Sequence, residues 1–371
     1  MKRSQALDAV RGIAILLVLI WHYLPRRSVI TPEWLLTSTS MFWSGVDLFF
    51  VLSGFLIGGI LLQNANSKNY FSTFYIRRAV RILPLYVLIL LVLIMVIYWA
   101  PAFIAQSSKA HLPLWSYLTF TQNFLYAAKQ RFNDPWIDVT WSLAVEEQFY
   151  IFLSLLVWKL DKRKLSIVTI TLILLAPVLR FFAPNNMVAY LFPFHRADSL
   201  MLGVLLALIW QWDKGKEFLY KYVRVFRWSF VFFLLGTAYL TYQRVWIGDA
   251  FGHFWLALFY GNFIVLALTL DGNEMKFNLL KSKTLEWFGL RSYGIYLLHK
   301  PVQIVIPLIL PWLQLNNLSP WAVMVIAALV LIAIAELSYR VIERPIMSLG
   351  HRFKYDPPEI KQEEVVQPRP V

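Results

Sequence analysis

The sequence predicts an all-α, polytopic membrane protein, with about ten transmembrane helices around a polar cavity. Three observations predict it. Hydrophobic residues make up 59% of the 371 and charged residues 15%, where a soluble chain carries about 25% charged. Mean hydropathy is +0.58, and the apolar residues fall in runs long enough to cross hydrocarbon. Aromatics reach 17%, with 16 Trp, which suits helix ends at two water interfaces.

The elements follow in chain order. Spans fall at roughly 6–24, 42–62, 74–99, 141–159, 165–182, 197–212, 228–243, 253–270, 285–310 and 319–342. The sixth is short. The start, Met1-Lys2-Arg3, resembles a signal peptide. No small-residue cleavage site follows, and Asp8 and Arg11 interrupt the apolar run, so we read an uncleaved first span. The link from about 100 to 140 contains Pro101, Pro113 and Pro135 and predicts an interfacial helix around 114–124. Residues 1–350 read as one transmembrane domain. Residues 351–371 read as a short cytoplasmic tail, Pro-rich and charged after Phe353, and expected to be disordered.

Charge placement sets the expected orientation. With the N-terminus inside, the inner segments carry 23 Lys/Arg and the outer segments 8, while Arg11, Arg291, Lys300 and Arg340 lie within spans. This asymmetry predicts a multi-pass plasma (inner) membrane protein with both termini cytoplasmic. The net charge of +14 sits in loops between apolar runs, so no nucleic-acid partner is expected. There is no Cys, which excludes disulfides, a thiolate metal site and a Cys nucleophile. No His/carboxylate spacing matches a metal motif, and no metal is predicted.

The chemistry lies in the intramembrane polar residues, because an ionisable group in hydrocarbon is costly unless it meets a partner or a wet cavity. Arg11 and His22 are eleven residues apart, which returns a helix to within about 20° of its start and separates the two by about 16 Å. Asp8 shares their face. Ser142, Glu146 and Tyr150 repeat at four-residue steps on another helix, with Glu147 adjacent. By depth, Asp47, Glu146, Glu147, His195, Arg196, Asp198 and His299 fall toward the outer side, with Ser53 near the middle. Arg78 and Arg81 open the third span on the inner side. An inner basic cluster suits a phosphate-bearing cytoplasmic molecule. An outer acid/base cluster suits proton transfer. Ser53 with Gly54, Gly58 and Gly59 permits close approach of another helix. His111, His253 and His351 are expected at the surface.

Taken together, these residues resemble the acyltransferase-3 family of integral membrane O-acyltransferases. The opening Leu7-Asp8-Ala9-Val10-Arg11-Gly12 with His22 is similar to the family's Arg-x10-His pattern, and Phe49-Phe50-x-x-Ser53-Gly54 to its Phe-Phe-x-x-Ser-Gly element. Arg78-x-x-Arg81 matches Arg-x-x-Arg, and Ser142-x3-Glu146-Glu147-x2-Tyr150 matches Ser-x3-Glu-Glu-x2-Tyr. Weaker likenesses are His195-Arg-Ala-Asp198 with Gly203, Ser292-Tyr293 through His299, and Glu343-Arg344-Pro345. The resemblance covers nearly the whole chain in order. It implies transfer of an acyl group, often acetyl, from cytoplasmic acyl-CoA to a hydroxyl of a carbohydrate or glycolipid acceptor at the membrane lipid boundary. On that reading Arg11, Arg78 and Arg81 hold the donor, His22 is the base, and Glu146 or Glu147 orients His22 or the acceptor. Asp8, Asp47, Ser53, Ser142, Tyr150, Arg196, Asp198 and His299 complete the polar site. The alternative class is a transporter or flippase, which the lack of internal symmetry disfavours.

Overall fold

The computed structural model describes residues 4–25, 31–99, 111–132, 134–243, 250–270 and 279–357. Every regular element among them is helical. The long helices are α1 (Gln5–Tyr23), α3 (Gly45–Asn64), α4 (Tyr70–Trp99), α7 (Trp141–Lys159), α8 (Lys162–Phe181), α10 (Ala197–Gln211), α12 (Val223–Tyr242), α13 (Gly252–Leu270), α14 (Lys283–Ile309) and α15 (Pro320–Ser338). Short helices intervene: α2 (Glu33–Ser38), α5 (Leu114–Leu118), α6 (Gln122–Lys129), α9 (Asn186–Leu191), α11 (Asp213–Lys221) and α16 (Arg344–Gly350).

All ten predicted spans are helices. Eight stretches among the described residues are long and apolar enough to cross a membrane. The two predicted spans outside that group have visible reasons. Helix α10 is 15 residues, and α7 carries Glu146, Glu147 and Lys159.

Two helix pairs form the centre: α1 runs along α14, and α3 along α10. Both crossings depend on glycine. A Cβ at Gly12 would overlap the Leu285 carbonyl, and one at Gly289 the Asp8 carbonyl. The α3–α10 crossing has the same design, with Gly54 against Leu200 and Gly203 against Val51. Small residues let backbones touch where hydrocarbon provides no hydrophobic drive for helix association.

The link before α7 forms two short helices rather than one. Residues Tyr117, Gln122, Asn123 and Tyr126 face inward, while Trp115, Leu118 and Phe124 are exposed. Gln122 donates to the Thr140 carbonyl at 3.0 Å, and Gln148 to that of Phe120 at 2.6 Å. These bonds fix the start of α7. At the other end of the chain, the segment expected to be disordered after Phe353 lies against α4 as far as residue 357. Arg77 donates to the Phe353 carbonyl at 2.7 Å, Asn69 donates to that of Lys354 at 2.9 Å, and the Tyr355 ring lies 5.1 Å from the Arg77 guanidinium. Residues 358–371 lie outside the described residues, as do Lys2, Arg3, Arg26, Arg27, Lys109, Arg244 and Lys276 of the orientation count.

Candidate active site

Five helices converge on a cavity of 120 Å³ lined by ionisable groups. Helix α1 brings Arg11, α3 brings Ser53, α4 brings Arg78 and Arg81, α7 brings Ser142, Glu146 and Tyr150, and α14 brings Ser292, Tyr293 and Tyr296. Polarity distinguishes it from a larger void of 740 Å³ between α1, α2, α12 and α13, whose ionisable lining is confined to Glu33 and two tyrosines.

The hydrogen bonds within the cavity have a fixed direction. The Tyr150 hydroxyl donates to Glu146 Oε2 at 2.9 Å. Its one proton thus committed, it accepts from Ser53 at 2.5 Å. The order Ser53, Tyr150, Glu146 joins α3 to α7. The Arg78 guanidinium lies 5.2 Å from the centre of the Tyr150 ring, a cation–π arrangement. Both Arg78 and Arg81 act on Glu146 through charge. Arg11 donates to Asp8 at 2.9 Å, one turn back on the same helix. Glu147 acts with Arg78 and Glu146 through charge, and its Oε1 is buried without a hydrogen-bond partner.

This geometry revises the depth reading. Arg78 and Arg81 were expected at the inner rim and Glu146 toward the far side; the structure brings them together. The reason is helix length. Helix α4 begins at Tyr70, ahead of the expected start near 74, and runs for 30 residues. Its arginines therefore lie about 12 and 16 Å into the helix, level with the second and third turns of the oppositely placed α7.

His22 stands beyond the cavity lining. Its Nδ1 lies 2.9 Å from the Val18 carbonyl. A carbonyl only accepts, so Nδ1 carries the proton and Nε2 a lone pair. The His22 ring meets that of His299 at 4.8 Å, and His299 meets Tyr296 at 5.6 Å. Tyr296 lines the cavity and pairs with Ser142 at 2.6 Å. His22 thus connects to the arginine cavity through α14.

Asp47, Arg196 and Asp198 lie apart from the cavity, in a closed ionic cluster. Arg196 donates to Asp47 Oδ1 at 2.5 Å and to His253 Nδ1 at 2.5 Å. Arg180 donates to Asp198 at 2.6 Å and to the Ala250 carbonyl at 2.9 Å. These charges are fully or almost fully buried. The cluster links α3, α8, α10 and α13, with Asp47 Oδ2 and Arg196 Nε buried without hydrogen-bond partners.

Of the histidines expected at the surface, His253 is not there, and His111 is partly exposed. His253 is 1% exposed, because Arg196 and Asp47 supply partners that its position at a span start did not reveal. His111 pairs with the buried Asp134 at 2.8 Å. His351 is exposed. Sequence reasoning gave no site role to Tyr293, Tyr296 or Glu343. The Tyr293 hydroxyl donates to the Ile82 carbonyl at 2.6 Å, beside Pro84 in α4. Buried Glu343 accepts from Ser338 at 3.1 Å and acts on Arg81 through charge. The regular spacing of Ser292, Tyr296 and His299 on one helical face was the available signal.

Half-buried arginines facing a carboxylate and hydroxyls inside a multi-helix membrane bundle make up the candidate site of an integral membrane protein. The chain belongs to the acyltransferase-3 family: the model of that family's acyltransferase domain matches residues 4–340. It is similar to the peptidoglycan O-acetyltransferase OatA of Listeria monocytogenes, with 29% identity over 94% of this chain and 56% of the relative. It is also similar to the O-acetyltransferase OatA of Staphylococcus aureus, with 29% identity over 93% of this chain and 57% of the relative. The chain spans just over half the length of these relatives. No solved structure matches it. Among the described residues no group of His, Cys, Asp and Glu is arranged to hold a metal.

Proposed function

We propose that this chain is a membrane O-acyltransferase that moves an acyl group, in the first instance acetyl, from cytoplasmic acyl-CoA to a hydroxyl of a carbohydrate or glycolipid acceptor. The observation that carries the proposal is the convergence of Arg11, Arg78 and Arg81 on the Ser53–Tyr150–Glu146 chain in one cavity. Family membership and the names of the two relatives support it. The domain of 1–350 carries the reaction, with both termini cytoplasmic in the plasma membrane.

Arg11, Arg78 and Arg81 bind the donor. Guanidinium groups match phosphate oxygens in pairs, and three of them line this one cavity. The cavity is smaller than the roughly 300–1,000 Å³ of pockets that enclose a whole drug-sized ligand, so it receives the reactive end of the donor. His22 is the general base. With its proton on Nδ1, its Nε2 takes the hydroxyl proton as the hydroxyl oxygen attacks the thioester carbonyl. Glu146 and Glu147 hold the arginines and the tyrosine in place, and Ser142 with Tyr296 connects the donor cavity to the histidine.

The test is acyl transfer from labelled acyl-CoA by the purified protein in detergent. Arg78→Ala combined with Arg81→Ala is expected to weaken donor binding by tenfold or more, with a smaller effect on acceptor KM. His22→Ala is expected to leave donor binding unchanged and to reduce turnover at least a hundredfold. Unchanged donor affinity in the double variant removes the arginines from that role.

A further inference from the structure

This inference rests on the acyltransferase reading and concerns what keeps a donor-binding arginine in place. Arg81 stands on α4, and one side of that helix lies outside the bundle, where Leu83, Val87 and Leu91 are exposed at four-residue steps. The helix also contains Pro84. Proline has no N–H, so the Val80 carbonyl, four residues back, loses the donor that an unbroken helix supplies. The turn that carries Arg81 therefore lacks part of the ladder that stiffens the rest of α4. A tie to that turn comes from α14. The Tyr293 hydroxyl donates to the Ile82 carbonyl at 2.6 Å, one residue after Arg81. Tyr293 and Ile82 both line the arginine cavity. Other long-range bonds from α4 fall before or after this turn: Tyr75 reaches Ser154, Arg77 the Phe353 carbonyl, and Tyr86 the Tyr117 carbonyl. The next residue on α14 contributes as well. A Cβ at Gly294 would lie 2.5 Å from Glu343 Oε1. The missing side chain thus admits that carboxylate beside Tyr293, where it acts on Arg81 through charge. Glu343 comes at the end of a π-turn, Tyr339–Glu343. The wider winding of that turn brings the Ser338 hydroxyl within 3.1 Å of Glu343, five residues on.

We propose that Tyr293 is a positioning residue for Arg81: its hydroxyl, bonded to the backbone of α4 beside the Pro84 break, sets the direction in which Arg81 enters the cavity. Arginine is long, so a small rotation of the helix moves its guanidinium a long way. Paired recognition of phosphate oxygens needs the planar fork in one orientation. An anchor on the backbone at the next residue limits that rotation. It also lowers the ordering cost that donor binding must meet. The effect belongs to donor binding, so it is read in donor affinity and not in turnover.

The test is Tyr293→Phe in the full chain, which keeps the ring and removes the bond. Affinity for labelled acetyl-CoA is expected to fall about five- to tenfold, the worth of one hydrogen bond. Turnover at saturating donor and acceptor KM are expected to stay within about twofold. Tyr86→Phe removes the bond to the Tyr117 carbonyl beyond Pro84 and is expected to lower the apparent Tm without changing donor affinity. Arg81→Ala supplies the deciding background. Adding Tyr293→Phe to it is expected to weaken donor binding no further, whereas a residue that only supports the fold lowers affinity by the same factor in both backgrounds. Tyr293→Leu serves for the same readings if the Phe variant does not fold. Unchanged donor affinity in Tyr293→Phe, or an equal loss in the Arg81→Ala background, overturns the proposal and leaves Tyr293 a packing residue. A wild type that neither binds acyl-CoA nor transfers its acyl group overturns the acyltransferase reading instead. A measurement without substrate then decides the positioning. The rate at which phenylglyoxal modifies Arg81, followed by mass spectrometry, is expected to rise about twofold or more in Tyr293→Phe as the turn opens more often, with Arg11 unaffected. An unchanged rate overturns the proposal.

Discussion

Single residues in this protein are governed by what surrounds a charge once water is removed. Arg196 and Asp47 are fully enclosed, and removing one member of such a pair typically costs about 3–5 kcal/mol through the charge left behind. Asp138, in the turn before α7, is a case where burial acts on proton uptake. Burial pushes its carboxyl up to about 6, against an opposing pull from Lys300. In an unfolded chain the same group ionises near 3.9. Between those values the folded state holds more protons, so stability falls as pH rises from about 4 to about 6. Asp138→Asn is expected to flatten that slope, read as apparent Tm against pH in detergent. An equal slope in the variant would assign the pH dependence to another group. The residue types of the site were legible in the sequence, since Arg11, Arg78, Arg81, Glu146 and Tyr150 all line one cavity. Their partners were not. His253 looked like a span-end residue because its partners come from residues 47 and 196, far away in the chain.

At the scale of helices, backbone contact determines which elements can bring their side chains together. Gly289 meets the Asp8 carbonyl where α14 crosses α1. Gly289→Ala forces two backbones apart, at a cost of about 1–3 kcal/mol, and displaces Tyr296 and His299 relative to His22. Gly261 on α13 faces the mobile end of the Leu202 side chain instead. Gly261→Ala is therefore expected to be much milder. Thermal unfolding of the two variants in one detergent compares them directly, and equal losses would refute the close-crossing argument. The sequence located these helices through their apolar runs. It misjudged where α4 begins, because Tyr70-Phe-Ser-Thr-Phe-Tyr is amphipathic rather than uniformly apolar. That error of one turn is why the arginines and Glu146 looked separated in depth.

For the whole molecule, the proposed reaction requires a donor from one side and an acceptor from the other, so orientation matters. The absence of Cys makes it directly measurable. Single cysteines at Lys164, in the first turn of α8, and at Gln314, after α14, occupy exposed positions. With both termini cytoplasmic, a membrane-impermeant maleimide added to intact cells is expected to label Gln314→Cys and spare Lys164→Cys. The reverse pattern would invert the topology and place the arginine cavity's donor on the wrong side.

The sequence by itself determined the all-α membrane class, the positions of ten helices and the family, because hydrocarbon imposes length and apolarity on each span independently of its neighbours. It also determined which side chains were too costly to leave in lipid. Tertiary structure alone decided how those side chains divide: one group lines the cavity with Arg11, Arg78 and Glu146, and another closes on itself around Arg196 and Asp47. The energy of a buried charge depends on what lies within a few ångströms, and that distance is set by helix crossings between segments remote in the chain.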